Sequence, residues 1–507
     1  MSAGPTPLVI VQCDAFDPEL TREWMDAGHL PTLAALRDRG VVASLGGSEH
    51  IAELGLALSC YSGVSRSRHG YYDYRQLRSG TYDLYPAAPA DAAVRPFWST
   101  LNDRRVVTVD AGETMPVPGL PGRQLMNWTA HQSATRIEPP IAIPADVLAH
   151  ARRTFGAPTR ISEFLLDSQP AQDRPILAAL LDRVRRKGEL CRTLARDGAE
   201  LLAVGFFEAH TAGHRFWKYH RGRAADAELR LALQRVYMAI DHEIGRLLAN
   251  SPGANVAVLS FFGMRDEYPS EGLMESFCRV LGYQAAPPAS TDQRRSLGDT
   301  VRALMPQSLR TAISRRLPHR MQEELLAQAF RGGTDWDRTV AFNIPSLYTG
   351  HIRVNVRGRE PHGIVEPGKE YSDVLDRVEA DLRQLEDPLT GSAVVRRVHR
   401  TEQLFTESLP SHLPDLFVEW EPTPVFRSQV IHPSGVLRQE PPAYFRDSYH
   451  SLEGLAILSG PSIRPARIPV AVDLLDLAPT FLALLGASKS SDMSGAPSPA
   501  LIDAVRS

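Results

Sequence analysis

The feature that most constrains the fold of this chain is a regular alternation of short apolar runs with helix-patterned stretches. Residues 8–12 form a β-branched run of the kind that buried parallel strands contain. Residues 18–39 follow with apolar side chains at helical spacing and end at Gly40. The same order recurs, with strand-like runs at 41–45, 105–109, 201–207 and 256–260 and helical patterns at 174–197 and 225–250. This alternation predicts an α/β protein built around a mainly parallel sheet.

The alternation is interrupted once. Residues 284–337 begin near a Pro-Pro-Ala-Ser turn and continue as Arg-rich sequence with helical spacing, which predicts a solvated helical cap insertion. Strand-like runs resume at 339–343, 352–356, 415–419 and 455–459, and a helix is predicted over 473–485. We therefore expect a core in two parts, 1–283 and 338–486, with the cap at 284–337 and a mobile Ser-, Ala- and Pro-rich tail at 487–507.

Composition excludes several classes of function. The 507 residues carry 56 Lys plus Arg against 59 Asp plus Glu, a formal net charge of −3. This balance provides no global basic field for nucleic acid or an anionic membrane, so neither is expected as a partner. No stretch approaches the roughly 20 apolar residues that a membrane span needs. The four cysteines are far apart and the N-terminus lacks a secretory pattern, so we expect a cytoplasmic protein that acts on a small molecule, with a homo-oligomer left open.

Two segments carry residue types that suit a site at the ends of parallel strands. Asp14 closes the first strand, where such sheets place their chemistry, although Asp-x-x-Asp-Pro is equally typical of a turn and helix cap. His210 and His214 are four residues apart after the run 201–207, so one helical turn can present both imidazoles to one metal ion. Two surface histidines are the alternative interpretation of this spacing.

Two further segments are ambiguous by pattern alone. Glu53 lies at the start of an apolar helix that ends at Ser62-Gly63, where backbone N–H groups and the helix dipole favour negative charge. An acidic residue in a first helical turn is also common without any function. His450 precedes the run 455–459, and a single histidine before a strand is usually structural.

Longer stretches around these residues follow one another in an order typical of a known family. They are residues 9–14, 24–33, 61–70, 352–365, 450–461 and 473–480. In this order they resemble the type I phosphodiesterase and nucleotide pyrophosphatase branch of the alkaline phosphatase superfamily. The resemblance implies an alkaline phosphatase-like three-layer αβα sandwich. It also implies a two-metal centre with a Thr or Ser nucleophile at a helix start, in which the metals stabilise charge on the phosphorus under attack.

The metal-binding positions of that family are altered in this chain. The resemblance places the first-strand Asp at Asp14 and the late His at His450, and it converts the family's Asp-x-x-x-His into His210-x-x-x-His214. The Asp-His pair of the second metal becomes Phe261-Phe262, which offers no lone pair to a cation. One half of the two-metal centre is thus replaced by apolar side chains, and the other half keeps three nitrogen donors.

Three imidazoles with an open position are a common mononuclear zinc arrangement, which also suits iron, copper or cobalt. We therefore predict one divalent metal ion, zinc first, held by His210, His214 and His450. Glu208 is a further candidate in the same loop, as a ligand or as a partner that orients a histidine.

The nucleophile position of the family, ten residues before Gly63, falls on Glu53. Glu53 is predicted to be the fourth metal ligand or the general base for a water, with a carboxylate nucleophile ranked last. Asp14, without a full metal shell, is predicted to pair with an arginine or to bind a substrate hydroxyl or amine. Ser48 and Ser59 are neighbouring hydroxyls that a shifted alignment would promote.

Three functions remain open from the sequence. The first is a metalloenzyme that hydrolyses or transfers a phosphoryl, sulfuryl or acyl-type group with the single metal site. The second is a non-hydrolytic, redox metalloenzyme on the same scaffold, with Phe261-Phe262 as an apolar wall. The third is a catalytically silent protein that keeps the fold and binds a ligand.

Overall fold

A computed structural model describes residues 6–129, 138–158, 161, 163, 169–287, 317–405, 413–442, 446–466 and 469–502. The strands are β1 (Leu8–Cys13), β2 (Val41–Gly46), β3 (Arg75–Leu77), β4 (Leu84–Pro86), β5 (Val106–Val109), β6 (Gly122–Met126), β7 (Ile141–Ile143), β8 (Leu201–Phe206), β9 (Asn255–Ser260), β10 (Arg265–Asp266), β11 (Ala341–Ile344), β12 (Gly350–Val354), β13 (Val395–Arg400), β14 (Leu416–Trp420), β15 (Gln429–His432), β16 (Gly435–Arg438), β17 (Ser448–Tyr449), β18 (Gly454–Ser459) and β19 (Val470–Asp473).

The α-helices are α1 (Pro18–Asp26), α2 (Pro31–Asp38), α3 (Leu56–Ser62), α4 (Arg66–His69), α5 (Asp146–Phe155), α6 (Pro170–Leu194), α7 (Glu208–His220), α8 (Ala232–Ala249), α9 (Glu271–Val280), α10 (His319–Gly332), α11 (Lys369–Leu382), α12 (Thr401–Leu404) and α13 (Leu477–Leu484).

A nine-stranded sheet in the order β19-β2-β18-β9-β1-β8-β5-β6-β7 forms the centre of the molecule. Its middle is parallel, because β1 pairs in parallel with both β8 and β9, and β5 pairs in parallel with β8 and β6. Every residue of β1, β8 and β9 is buried, which explains why these strands are continuous apolar runs in the sequence. The predicted mixed α/β fold with a mainly parallel central sheet is confirmed.

The sheet is antiparallel where the chain returns to it. β18 lies between β2 and β9 and is antiparallel to both. The segment that leads into β18 therefore enters the sheet from the end at which β1, β8 and β9 finish. This direction brings the residues just before β18 to the carboxyl-terminal edge of the parallel strands, where such sheets place their sites.

A second sheet lies outside the first. Its order is β11-β12-β14-β13, its pairs are antiparallel, and it has its own buried apolar cluster with α9 and α11. Of the four strand-like runs that follow the predicted cap, three become strands of this second sheet. The fourth becomes β18 and joins the nine-stranded sheet. Apolar patterning marks a strand and does not say which sheet the strand joins, because pairing depends on distant partners.

Only part of the predicted cap and tail falls within the described residues. Residues 288–316 lie outside them. Within the described part, Glu323 on α10 forms an ion pair of 2.7 Å with Arg75 on β3. In the predicted tail, Met493, Leu501 and Ile502 are buried in the main core, and residues 503–507 lie outside the described part. The division of the chain at residues 283, 337 and 486 stays a prediction. Among the described residues, no helix has both the length and the hydropathy that crossing a membrane requires.

Candidate metal centre

Three buried histidines meet at the carboxyl-terminal edge of the parallel strands. His210 and His214 lie one turn apart on α7, which begins just after β8, and His450 lies between β17 and β18. Their ring centroids are 4.6 to 4.8 Å apart, and each ring is at most 1% exposed. Within the residues that the structure describes, these are the one group of three or more metal-ligand side chains whose donor atoms converge, to within 4.8 Å of one another. The structure therefore brings together the three histidines that the sequence predicted as ligands.

In each of the three rings the Nδ1 atom faces an oxygen that can only accept a hydrogen bond. The three pairs are His210 Nδ1 with Asp14 Oδ2 at 2.9 Å, His214 Nδ1 with the Ser448 carbonyl at 3.0 Å, and His450 Nδ1 with the Gly263 carbonyl at 3.3 Å. These partners assign the proton of each neutral ring to Nδ1 and leave the lone pair on Nε2. A carboxylate or carbonyl behind the far nitrogen is the usual support of a metal-binding histidine.

The Nε2 atoms of His214 and His450 lie close together, at 3.1 Å. Two unprotonated ring nitrogens at this separation repel unless a proton or a cation lies between or beside them. This pair of rings thus favours a positive charge at this place.

Carboxylates surround the three rings. Besides Asp14, Glu163 Oε2 lies 3.5 Å from His210 Nε2, and Glu53 Oε2 lies 3.5 Å from His450 Nε2. Arg446 is the cation at this place, with Nη1 at 2.8 Å from His214 Nε2 and 3.3 Å from Glu163 Oε2. Three carboxylates thus face one guanidinium, and the remaining negative charge favours further positive charge at the rings, carried by a proton or by a metal ion.

The electrostatics of the rings reflect these neighbours. Although burial lowers the pKa of His210, the Glu163 and Asp14 carboxylates raise it to about 10. Burial lowers the pKa of His450 well below its usual value, and the neighbouring His210, His214 and Arg446 lower it further. A proton and a metal ion therefore compete for His210 Nε2.

The carboxylate that caps the start of α3 is that of Glu113 and not that of Glu53. Gly55 precedes α3 with φ 93°, and the Glu113 carboxylate accepts the N–H groups of Gly55 at 2.8 Å and Leu58 at 2.9 Å. Burial raises the pKa of Glu113 to about 7. The sequence places Glu53 at the start of this helix, but the carboxylate that meets the helix N–H groups belongs to Glu113. The side chain of Glu53 faces His450 instead.

Glu208 has other partners than the histidines. Its carboxylate lies 3.4 Å from Lys187 Nζ and 3.4 Å from Arg183 Nε, and the residue is fully buried. Residues two apart on a helix point to different sides, so Glu208 cannot share the inward direction of His210. The structure thus places Glu208 against the cations of α6 and does not bring it into the converging histidine group.

Phe261 and Phe262, which the resemblance aligns with the family's second set of ligands, are both buried. Phe262 lies against His450, with ring centroids 4.4 Å apart. Phe261 packs on Tyr61 with centroids 6.0 Å apart and is 1% exposed. The apolar ring of Phe262 therefore borders the histidines on this side.

Ser59 does not have the surroundings of a nucleophile. Its hydroxyl lies 2.6 Å from Glu49 and 2.8 Å from His69 Nε2, while His69 Nδ1 accepts the N–H of Tyr71 at 3.1 Å. His69 Nε2 therefore carries the ring proton and cannot take one from Ser59. The grouping is a buried structural network that joins α3 to α4.

Glu163 and Arg446 lie at the histidines but are not predicted from the sequence. Glu163 lies in a stretch without a recognisable motif, and Thr211 on α7 donates a hydrogen bond to it at 2.8 Å. Arg446 is four residues before His450, a spacing that carries no meaning outside a helix. Only the tertiary fold brings these two side chains to the histidines.

Asp14 is the carboxylate that orients His210, so Asp14→Asn should weaken metal binding without removing a ligand. An amide oxygen still accepts from His210 Nδ1 but lacks the charge that makes Nε2 a strong donor. We expect the affinity for zinc to fall about 10- to 100-fold, as measured by competition with a chelator. Asp266→Asn is the matched control, because Asp266 pairs with Trp217 and Arg223 rather than with the three rings. Equal affinity in Asp14→Asn and wild type would contradict the orienting role.

The fold and the site together define a large α/β protein with a buried histidine cluster at the carboxyl-terminal edge of a parallel sheet. The family profile of type I phosphodiesterases and nucleotide pyrophosphatases matches residues 8–429. The chain therefore belongs to the type I phosphodiesterase/nucleotide pyrophosphatase family, in the alkaline phosphatase superfamily, as the sequence resemblance predicted.

Solved structures are similar to this chain over nearly its whole length. Phosphonoacetate hydrolase from Sinorhizobium meliloti 1021, in complex with phosphonoformate, is 13% identical, with a TM-score of 0.52 and 96% of each chain covered. Murine ectonucleotide pyrophosphatase/phosphodiesterase 5 is 11% identical, with a TM-score of 0.44 and 96% of each chain covered. At this identity the likeness to the hydrolase shows the alkaline phosphatase-like fold alone. A search of curated proteins finds no match to the sequence.

Proposed function

We propose that this protein is a hydrolase that acts on a small phosphoryl-, sulfuryl- or acyl-type substrate with one divalent metal ion. The ion would be held by Nε2 of His210, His214 and His450. The observation that carries the proposal is the convergence of three buried rings whose donor atoms lie within 4.8 Å of one another, with each Nδ1 atom opposite a hydrogen-bond acceptor.

The donor set fits a metal and favours zinc. Three neutral imidazoles with a carboxylate close by are a usual zinc environment, and iron, copper and cobalt accept the same donors. When bound, a divalent ion supplies a Lewis acid that polarises the bond under attack and helps to activate water. The net negative charge of the surrounding carboxylates supports retention of a cation at this place.

A single ion is proposed because the second half of the family's centre has lost its donors. Phe262 contacts His450 where a second set of ligands is expected from the family resemblance. Asp14, the other residue that the resemblance assigns to the second ion, is engaged with His210 at 2.9 Å. A carboxylate that orients a histidine is better described as a positioning residue than as a substrate-binding group.

Glu53 is the proposed general base. Its Oε2 atom lies 3.5 Å from His450 Nε2, at the edge of the space that the three Nε2 atoms share. A carboxylate there can take a proton from a water that attacks the substrate and return the proton to the leaving group. A fourth metal ligand is the alternative role of Glu53, and the Glu53→Gln variant separates the two roles.

The function is tested by measuring metal content and hydrolysis on the same preparation. Purified protein is stripped with a chelator and reloaded with zinc, iron, copper or cobalt. It is then assayed on an aryl phosphodiester, an aryl phosphomonoester, a phosphonate, an aryl sulfate and an aryl carboxylic ester. We expect one metal ion per chain and metal-dependent hydrolysis of at least one ester. Activity that needs iron or copper and an oxidant would favour the redox alternative, and a protein that retains no metal would favour a silent binding protein.

A further inference from the structure

We infer that Arg446 is the anchor for an anionic group of the substrate, and that it exchanges His214 for this group when a metal ion binds. The anionic group is an oxyanion such as a phosphoryl or carboxylate group. The inference rests on the proposed metal site and adds to it the charge of the substrate. Neither the family resemblance nor the sequence pattern assigns a role to this arginine.

Arg446 and a metal ion need the same lone pair, that of His214 Nε2. Arg446 Nη1 donates to His214 Nε2 at 2.8 Å. The Nδ1 atom of His214 faces the Ser448 carbonyl at 3.0 Å, so Nε2 has the single lone pair of the neutral ring. A metal ion bound to His214 Nε2 must therefore displace the guanidinium N–H from it.

The side chain of Arg446 stays in the site after it leaves His214, because two tyrosines hold it there. Tyr348 fixes the backbone of Arg446 from both sides, because its hydroxyl accepts the Arg446 N–H at 2.9 Å and donates to the Arg446 carbonyl at 3.2 Å. The guanidinium carbon lies 5.5 Å from the ring centroid of Tyr348 and 5.4 Å from that of Tyr449. These two rings are stacked on each other at 3.8 Å, so a guanidinium nearly equally distant from both lies beside the rim of a rigid stack.

The displaced N–H group of Arg446 suits an oxyanion. The residue is 8% exposed, so the group remains buried beside the histidines when it leaves His214. Glu163 Oε2 lies 3.3 Å from the same Nη1 atom and keeps the side chain next to the rings. The planar fork of N–H donors matches the oxygens of a carboxylate or phosphoryl group, which gives charge-assisted hydrogen bonds. A substrate oxyanion beside the metal ion can accept these bonds.

The test uses Arg446→Gln with Arg223→Gln as its matched control. Arg223 pairs with Asp266 and Asp447 and does not contact the three histidines. The hydrogen bonds of Tyr348 to position 446 involve only the backbone, so the substitution retains them. Zinc affinity is measured by competition with a chelator, and the affinity of the zinc-loaded protein for inorganic phosphate is measured by calorimetry.

We expect Arg446→Gln to bind zinc roughly tenfold more tightly than wild type, because a competing donor and a nearby positive charge are removed. We expect the same variant to bind phosphate roughly tenfold more weakly or worse. Arg446→Lys keeps the charge without the fork and should lie between the two proteins in phosphate affinity. Arg223→Gln should match wild type in both measurements.

The outcomes separate this inference from the function on which it rests. A wild-type protein that binds no divalent metal overturns the metal site and the inference together. A wild type that binds zinc, with unchanged or weaker zinc binding in Arg446→Gln, overturns the exchange at His214. Unchanged phosphate affinity in that variant overturns the role of Arg446 as an anion anchor and leaves the metal site in place.

Discussion

The His214→Ala variant is expected to lose both the metal ion and hydrolysis while it keeps its fold. His214 is fully buried, and its Nε2 lies 3.1 Å from that of His450, so it is central to the proposed ligand set. A three-nitrogen site reduced to two donors should lose more than the roughly 10- to 100-fold that follows from the loss of an orienting group. Metal content after dialysis should fall from about one ion per chain to near zero.

A histidine on the same helix provides the control for this loss. His220 is also on α7 but packs against Trp24, with ring centroids 5.7 Å apart, and is not part of the converging group. His220→Ala should retain the metal ion and the activity of wild type, and both variants should show a cooperative thermal transition. A folded His214→Ala protein with full metal content would refute the ligand assignment.

The Glu53→Gln variant is expected to retain its metal ion and to hydrolyse substrate about 10²- to 10⁴-fold more slowly, the usual contribution of general acid–base catalysis. The glutamine amide has nearly the shape of the carboxylate but cannot take a proton from water. The rate is measured as kcat on the ester that wild type hydrolyses best, together with the metal content of the same sample.

Glu453 offers a matched control, since it is an exposed carboxylate three residues from His450. Glu453→Gln should leave rate and metal content unchanged. If Glu53→Gln loses the metal ion, Glu53 is a ligand rather than a base. If its rate equals that of wild type, Glu53 takes no part in proton transfer.

The buried strands and the pairing of His210 with His214 are the parts of this protein that local sequence can predict. A strand buried on both faces, such as β8, is a continuous apolar run, and its position follows from the residues themselves. His210 and His214 were recognised because their spacing equals one helical turn and because they follow such a strand. His450 needed the family resemblance, since a single histidine before β18 has no pattern of its own.

The partners of the histidines could not be predicted, because they come from distant parts of the chain. Glu163 belongs to a stretch without regular pattern, and Arg446 reaches His214 across 232 residues of sequence. The cap of α3 shows the same limit, because Glu113 performs there the electrostatic role that local sequence suggested for Glu53. The separate sheet of β11 to β14 was missed for the related reason that strand pairing is decided by contacts between distant segments.

Anomalous diffraction at the zinc absorption edge, from crystals of the zinc-loaded protein, tests the central claim most directly. We predict one strong peak per chain, about 2.0 to 2.1 Å from Nε2 of His210, His214 and His450, the usual length of a zinc–imidazole bond. A second peak of similar height beside Phe262, or a single peak away from the three rings, would contradict the single-metal site.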